Sequence, residues 1–179
     1  MEFQQLIEAR RSVRRYDPSQ RPTKEDILTI IKAAQEAPSW KNQQTSRYYC
    51  AVSAELCEKL RETIFPSFNK QRSENAALIV TAFEKNNVGF ADDRQTPLNE
   101  LGNGWGCYDL GLQAAYLILK AKELGYDTLI MGIRDAQAIR KELDIPEDQE
   151  IVSVIAVGKA AESPARPKRK ELHDIAKVL

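Results

Sequence analysis

The stretch of the chain richest in groups that could do chemistry is an arginine block near its start. Four arginines fall within six residues, on either side of Ser12 and Val13: Arg10, Arg11, Arg14 and Arg15. Each guanidinium is a planar, permanent cation that binds phosphate or carboxylate through paired hydrogen bonds. The Ser12 hydroxyl can donate to a phosphate oxygen. The block is therefore a candidate anion site, and the alternative is a solvated basic turn paired with acidic neighbours.

Polar groups that suit the same kind of ligand recur elsewhere in the chain. The C-terminal tail carries a second basic cluster, made of Lys168, Arg169 and Lys170. Two further segments are rich in amides, one around Asn42 and one at 69–72, and the sequence predicts both as loops. Basic clusters at the two ends of a chain can meet at a single phosphate, and amide groups suit the edges of a polar planar ring.

The sequence offers no candidate for a catalytic acid, base or metal ligand set. The single histidine, His173, lies in the charged tail, and the three cysteines are odd in number. A disulfide framework or a Cys/His zinc site is therefore not expected. The glycines of 102–106 lack the preceding strand and the spacing of a dinucleotide-binding motif. A bound cofactor that brings its own chemistry is the economical interpretation.

Length and charge limit the class of protein. The 179 residues predict one domain over 1–179, with a sizeable core. Lys plus Arg and Asp plus Glu both number 26, whereas a general nucleic-acid binder is expected to be basic. The apolar runs are too short to span a bilayer, and the N-terminal residues show no secretory signal pattern. We therefore expect a cytoplasmic protein that binds neither nucleic acid nor membrane.

Hydrophobic periodicity and capping residues predict the elements that must position these groups. Helices are predicted at 2–9, 23–36, 54–63, 105–124 and 135–143, and strands at 47–53, 76–83, 128–131 and 150–157. Residues 86–103 are predicted to be irregular, with room for one helical turn. Helices and strands alternate with helix dominating, which indicates a mixed α/β or α+β layered domain.

The predicted helix at 105–124 is unusually apolar. Its polar residues form one narrow stripe, made of Asp109, Gln113, Tyr116, Lys120 and Glu123, and Cys107 is expected in the core. A helix that is apolar around most of its circumference must be buried on several sides. A second subunit is a natural way to bury it in a chain this small, and a central helix within a monomer is the alternative.

Two pairs of segments carry a resemblance to a known family. RRSVRRY at 10–16 and APSWKNQQ at 37–44 resemble the opening of the nitroreductase family of flavin enzymes. IPEDQEIVSVIAVG at 145–158, followed by PKRK at 167–170, resembles the ending of that family. The resemblance implies an α+β fold with a central, mostly antiparallel sheet surrounded by helices. It also implies an intertwined homodimer with two FMN sites shared between the subunits.

The resemblance also implies which residues bind the flavin. The family's first flavin-binding segment corresponds to Arg10, Arg11, Ser12 and Arg14. The segment that reaches the flavin of the other subunit corresponds to Pro38, Ser39, Trp40, Asn42 and Gln44. The phosphate clamp corresponds to Lys168 and the two residues after it, Arg169 and Lys170, and which of the three holds the phosphate stays open.

Two further groups of residues match positions around the flavin ring. Asn69 and Arg72 match the pair at the pyrimidine edge, and Met131 and Gly132 match the backbone approach near the reactive nitrogen. Arg14 and Arg72 are implied to tune the ring by offsetting its negative charge when it is reduced. No protein side chain is implied as a catalytic acid or base.

The function implied by the resemblance is reduction of a small-molecule acceptor. The family takes hydride from NADH or NADPH and reduces nitroaromatics, quinones or similar acceptors in a ping-pong cycle. Two alternatives stay open: a specialised family member that acts as a reductive dehalogenase or fragments flavin, and a non-enzymatic binding protein that uses its basic tail. The sequence does not distinguish NADH from NADPH and does not identify the physiological acceptor.

Overall fold

The computed structural model describes residues 2–179 and has the α+β class that the sequence predicts. Its elements alternate along the chain with few long connections. In order they are α1 (Phe3–Ala9), α2 (Lys24–Gln35), a 3-10 turn (Trp40–Asn42), β1 (Ser46–Ala51), α3 (Ala54–Ile64), α4 (Ser67–Arg72), β2 (Ala77–Glu84), α5 (Gly104–Glu123), β3 (Asp127–Met131), α6 (Ala136–Leu143), β4 (Gln149–Gly158) and α7 (Leu172–Ile175).

The strands form one antiparallel sheet in the order β1-β2-β4-β3. The two central strands, β2 and β4, are buried over nearly their whole length, which explains the continuous apolar run that predicted a strand at 76–83. Side chains on the two sides of the sheet form two hydrophobic clusters, one of which packs against α2 and α5. The antiparallel sheet enclosed by helices confirms the predicted fold.

The predicted helix caps explain where the helices begin. The Thr23 hydroxyl accepts a hydrogen bond from the Asp26 amide, and the Asp26 carboxylate accepts one from the Thr23 amide. Two backbone amides at the start of α2 that have no partner within the helix are thereby satisfied. Asp26 also accepts from the Tyr126 hydroxyl at 2.8 Å, which ties α2 to the start of β3. Asp135 caps α6 in the same way, by accepting from the Ala138 amide. These local signals were readable from the sequence.

The longest helix, α5, differs from the prediction in how its faces are used. Asp109 and Gln113, from the predicted polar stripe, are buried against the rest of the subunit together with Leu117. Their polar atoms find partners there, which is why polar side chains are tolerated inside. Cys107, expected in the core, is exposed instead. The uncovered face of the helix also carries Tyr108, Gly111, Ala115 and Tyr116.

One segment differs from its predicted state, and a second is irregular as predicted. Residues 69–72, predicted as a loop, belong to α4, because Pro66 stands at the helix N-cap, where a missing backbone donor costs nothing. Residues 86–103 form a series of turns without a helix. At their base, the Asn86 backbone amide donates to Asn103 Oδ1 at 2.7 Å, and Asn103 Nδ2 donates to Asn86 Oδ1 at 2.9 Å. None of the helices in the described part of the chain is long and apolar enough to cross a membrane.

Gly106 provides a test of how tightly α5 packs on the sheet. A methyl group at this position would stand 2.2 Å from Cδ2 of the buried Phe83 ring. Although alanine favours helix over glycine, we expect Gly106→Ala to lower the free energy of unfolding by about 1–3 kcal/mol through overpacking. Chemical denaturation measures the change. Gly104→Ala, whose methyl meets Leu101 at an ordinary 3.5 Å, is the matched control and should not destabilise.

Candidate functional site

The arginine block lies extended along the edge strand β3. The Val13 amide donates to the Thr128 carbonyl at 3.1 Å, and the Asp17 amide donates to the Lys159 carbonyl at 2.9 Å. Val13 and Tyr16 turn into the hydrophobic core, where both are almost completely buried. Ser12 and Arg14, the neighbours of Val13 on either side, point away from the core and are exposed, and Arg15 is exposed as well. The backbone pairing thus fixes where the charged groups stand.

Part of this block faces the C-terminal tail across a small cavity. The cavity has a volume of about 250 Å³ and is lined by Arg10, Arg11, Ser12, Arg14, Pro164, Ala165 and Pro167. The tail therefore approaches the block just before its own basic cluster. Lys168, Arg169 and Lys170 are exposed and do not line the cavity, and Arg169 donates to the Pro167 carbonyl at 3.1 Å. The predicted phosphate clamp is close to the block without being closed on it.

No carboxylate among residues 2–179 forms an ion pair with the guanidinium of Arg10, Arg11, Arg14 or Arg15. Arg11 instead donates to the carbonyls of Glu8 and Arg10 at the end of α1. Glu162 accepts from the backbone amide of Arg14 at 2.7 Å, and the Arg14 guanidinium donates to the Ser12 carbonyl at 3.2 Å without an ion-pair partner. This arrangement favours a site for an external anion over a basic turn neutralised by acidic neighbours.

A larger cavity brings Arg14 and Arg72 together. It has a volume of about 510 Å³ and is lined by Arg14, Arg15, Tyr16, Gln71, Arg72, Glu74, Asn75 and Glu162. Three guanidinium groups against two carboxylates leave it positively charged. Arg72 lies over the Phe68 ring, 5.2 Å from its centroid, which restrains its long side chain. Burial raises the pKa of Tyr16, so its hydroxyl stays neutral and donates to the Val13 carbonyl at 2.9 Å.

The far end of β3 meets α4. The Asn69 side chain is 4% exposed, and its Nδ2 donates to the Ile133 carbonyl at 2.9 Å. Met131 is buried in the core, whereas Gly132 is exposed and a methyl group there would meet nothing within 4 Å. The backbone at Gly132 is therefore open to a ligand. The predicted residues of the arginine block, α4 and the end of β3 thus lie along one edge of the sheet.

The segment Pro38 to Gln44 lies elsewhere and lines neither of the two cavities. It packs on the first half of α5, where the Trp40 amide donates to Asp109 Oδ2 at 2.8 Å. The Trp40 ring packs against Trp105 with 4.8 Å between ring centroids and an interplanar angle of 56°. The structure therefore separates this segment from the other predicted site residues of its own chain.

Several polar residues with long-range contacts carried no recognised signal in the sequence. Glu162 reaches Arg14 across the fold, and no local pattern marks it. Asp109 is 3% exposed, and burial raises the pKa of its carboxyl while the Trp40 amide opposes the shift. Gln113, one turn further on, accepts from the Tyr48 hydroxyl at 2.7 Å. The spacing of Asp109 and Gln113 on an otherwise apolar helix was the available signal, but it was interpreted as part of a polar stripe.

The chain is similar to known proteins over nearly its whole length. A family model described as the nitroreductase family matches residues 7–159. YdgI of Bacillus subtilis strain 168, whose name provisionally classes it as an NAD(P)H nitroreductase, is 26% identical over 189 residues, covering 90% of each chain.

Two solved structures share the fold. A nitroreductase family protein of Streptococcus pneumoniae TIGR4 superposes with a TM-score of 0.84 at 18% identity, covering 99% of this chain and 100% of that one. A protein of Exiguobacterium sibiricum 255-15, provisionally named a nitroreductase and crystallised with FMN, superposes with a TM-score of 0.83 at 24% identity. That match covers 100% of this chain and 98% of the other.

Proposed function

The chain belongs to the nitroreductase family, and on that premise we propose that it is an FMN-dependent oxidoreductase. It takes hydride from NADH or NADPH and reduces a nitroaromatic, quinone or similar acceptor in a ping-pong cycle. The relatives named as NAD(P)H nitroreductases and the FMN in one structural neighbour support the donor and the cofactor. The observation that carries the proposal in this chain is the positively charged cavity that unites Arg14 with Arg72 beside β3.

The residues along this edge of the sheet fit FMN. Guanidinium groups without an ion-pair partner and the Ser12 hydroxyl suit a phosphate, and Pro167, which lines the same cavity, leads directly into Lys168, Arg169 and Lys170. Arg72 offers guanidinium donors for the polar edge of a planar ring, the buried Asn69 on the same helix donates to the Ile133 carbonyl, and the open backbone at Gly132 allows a close approach. We therefore propose these residues as the FMN site.

FMN, when bound, supplies the redox chemistry of the reaction. The protein groups bind and orient it and set the local charge. Arg14 and Arg72 hold two positive charges in one cavity, where they stabilise an anionic ligand more than a neutral one. Tyr16 stays neutral because it is buried, and its hydroxyl donates to the Val13 carbonyl, which anchors the arginine segment. Specificity for the acceptor then depends on the space above the ring.

We propose that two copies assemble into an intertwined homodimer with shared sites. The uncovered face of α5 continues into an apolar groove of about 550 Å³, lined by Phe3, Leu6, Ala33, Ala115, Tyr116, Leu119, Lys120 and Glu123. The tail carries four exposed apolar residues, Leu172, Ile175, Val178 and Leu179, with nothing of their own chain over them. A two-fold arrangement uses the same patch twice and places the segment Pro38 to Gln44 at the partner's FMN.

Purified protein provides the first test of the proposed function. We expect a yellow preparation with flavin absorbance that, without oxygen, oxidises NADH or NADPH and then reduces a nitroaromatic or a quinone. A colourless protein that binds polyanions would instead support the binding protein that uses its basic tail. A yellow protein that reduces both acceptors poorly would support a specialised member of the family.

Removing Arg14 tests the role of its charge. Arg14→Ala should bind reduced FMN less tightly and shift the flavin midpoint potential to a more negative value, because a charge-assisted hydrogen bond contributes roughly 1.5–3 kcal/mol. Spectroelectrochemistry measures the potential. Arg94→Gln, which removes an exposed arginine from the irregular segment 86–103, is the control and should leave the potential unchanged. An unaltered potential in Arg14→Ala would disprove this role.

A charge on the uncovered face of α5 tests the dimer. A charge at Leu117 would not test the interface, because this residue is completely buried within its own subunit. Ala115 is exposed on the uncovered face. We expect Ala115→Glu to produce a folded monomer that has lost most of its FMN, because assembly would bury an unpaired carboxylate. Light scattering gives the mass and absorbance the flavin content. Ala54→Glu, at an exposed position of α3, is the control and should change neither the mass nor the flavin content. A flavin-loaded Ala115→Glu dimer would exclude this interface.

A further inference from the structure

The segment Ser39 to Gln44 adopts a backbone that its sequence does not favour. Lys41, Asn42 and Gln44 all have positive φ, at 47°, 57° and 52°. The left-handed region is tolerated by asparagine but disfavoured for lysine and glutamine, because Cβ crowds the following carbonyl. Such a conformation persists only where the surrounding structure determines it. The question is which contacts of this segment do so.

Few hydrogen bonds connect this segment to the rest of the fold. Most of its bonds are internal, such as the Gln44 amide to Ser39 Oγ at 3.2 Å and the Gln43 amide to the Trp40 carbonyl at 2.9 Å. Among residues 2–179, two bonds leave it. Arg47, whose side chain is 40% exposed, donates to the Gln44 carbonyl, and the Trp40 amide donates to Asp109.

Asp109 is the more rigid of these two anchors. It lies on the buried face of α5, and its carboxylate accepts the Trp40 amide at 2.8 Å. The same turn of helix holds Trp105, whose indole Nε1 donates to Asn99 Oδ1 at 2.8 Å. Gly89 leaves room for that ring, since a methyl group there would stand 2.6 Å from Trp105 Cδ1. The position of the Trp105 ring is thus fixed, and the Trp40 ring packs against it at a tilt.

We propose that Asp109 is a positioning residue that holds Ser39 to Gln44 in its strained conformation for use at the flavin of the partner subunit. This inference rests on the proposed function, which places the segment there. Asp109 acts through the Trp40 amide, and the tilted contact of the Trp40 ring with Trp105 completes the clamp. What the position requires is a buried acceptor, so a neutral acceptor of the same shape preserves the arrangement.

The two tryptophans of the chain are Trp40 and Trp105, so their optical coupling reports the clamp directly. We expect near-ultraviolet circular dichroism of Asp109→Leu, which keeps the volume and removes the acceptor, to lose the coupled tryptophan signal. Asp109→Asn should keep it. Gln113→Leu is the matched control, because it removes a buried acceptor from the same helix face that serves Tyr48 instead. It should destabilise the protein while keeping the signal.

FMN affinity provides the functional readout. Asp109→Leu should raise the dissociation constant at least tenfold, whereas Asp109→Asn and Gln113→Leu should stay within about threefold of the parent. A parent protein that binds no FMN would defeat the proposed function, and the tryptophan signal would still decide the role of Asp109. Intact tryptophan coupling in Asp109→Leu, or its equal loss in Gln113→Leu, would overturn the inference.

Hydrogen exchange on the unmodified protein covers the case in which Asp109→Leu does not fold. The Trp40 amide lies in a turn near the surface, where an unbonded amide exchanges quickly. If Asp109 holds the Trp40 amide, its exchange should be slowed at least a hundredfold relative to that of the backbone amide of Lys41, which has no hydrogen-bond partner among residues 2–179. Exchange of the Trp40 amide at the rate of that neighbour would contradict the proposal without any substitution.

Discussion

The pairing of an N-terminal segment with the edge strand β3 is the constraint on which the rest of the site depends. Val13 and Tyr16 bury apolar side chains in the core, and this burial, worth about 25 cal/mol per Å² of apolar surface, anchors a segment that otherwise consists of cations. The backbone bond from Val13 to Thr128 then sets the register. Because neighbouring side chains of an extended segment point to opposite sides, Ser12 and Arg14 are left outside where Val13 goes inside. Mutual repulsion of the guanidinium groups opposes this arrangement, and core burial offsets it.

The elements of the fold were predictable because their signals are local. Thr23 and Asp26 indicate the start of a helix within four residues. The apolar run of β2 predicts a buried strand even when the neighbouring strands are unknown. The grouping of Arg14 with Arg72 was predictable for a different reason. Residue types at fixed spacing in RRSVRRY and APSWKNQQ resemble a family, and a resemblance carries information about distant contacts that periodicity lacks. Arg14 and Arg72, predicted to act on one ring, do line one cavity.

What the sequence did not predict depends on contacts between distant residues. Asp109 and Trp40 are 69 positions apart, and Gln113 and Tyr48 are 65 apart. Without these partners, the two polar residues on α5 were indistinguishable from a solvated stripe. The same holds for 69–72, which were predicted as a loop but belong to α4, with Pro66 at the N-cap. In each case the physical rule was correct, and the missing fact was which group stands opposite.

The faces of α5 connect the packing of one subunit with assembly. An ordinary surface helix turns polar side chains outward and apolar ones inward. Here Asp109 and Gln113 point inward and are hydrogen-bonded, while Tyr108, Ala115 and Tyr116 remain outside. Burying polar groups costs free energy that a hydrogen bond largely offsets but seldom exceeds by much. Within one subunit, packing therefore stabilises the helix less than its apolar composition would allow. Under the proposed dimer, the outer face supplies the missing apolar burial, and the inward carboxylate orients a segment for the partner's site. Assembly and cofactor binding are then linked through the two faces of one helix.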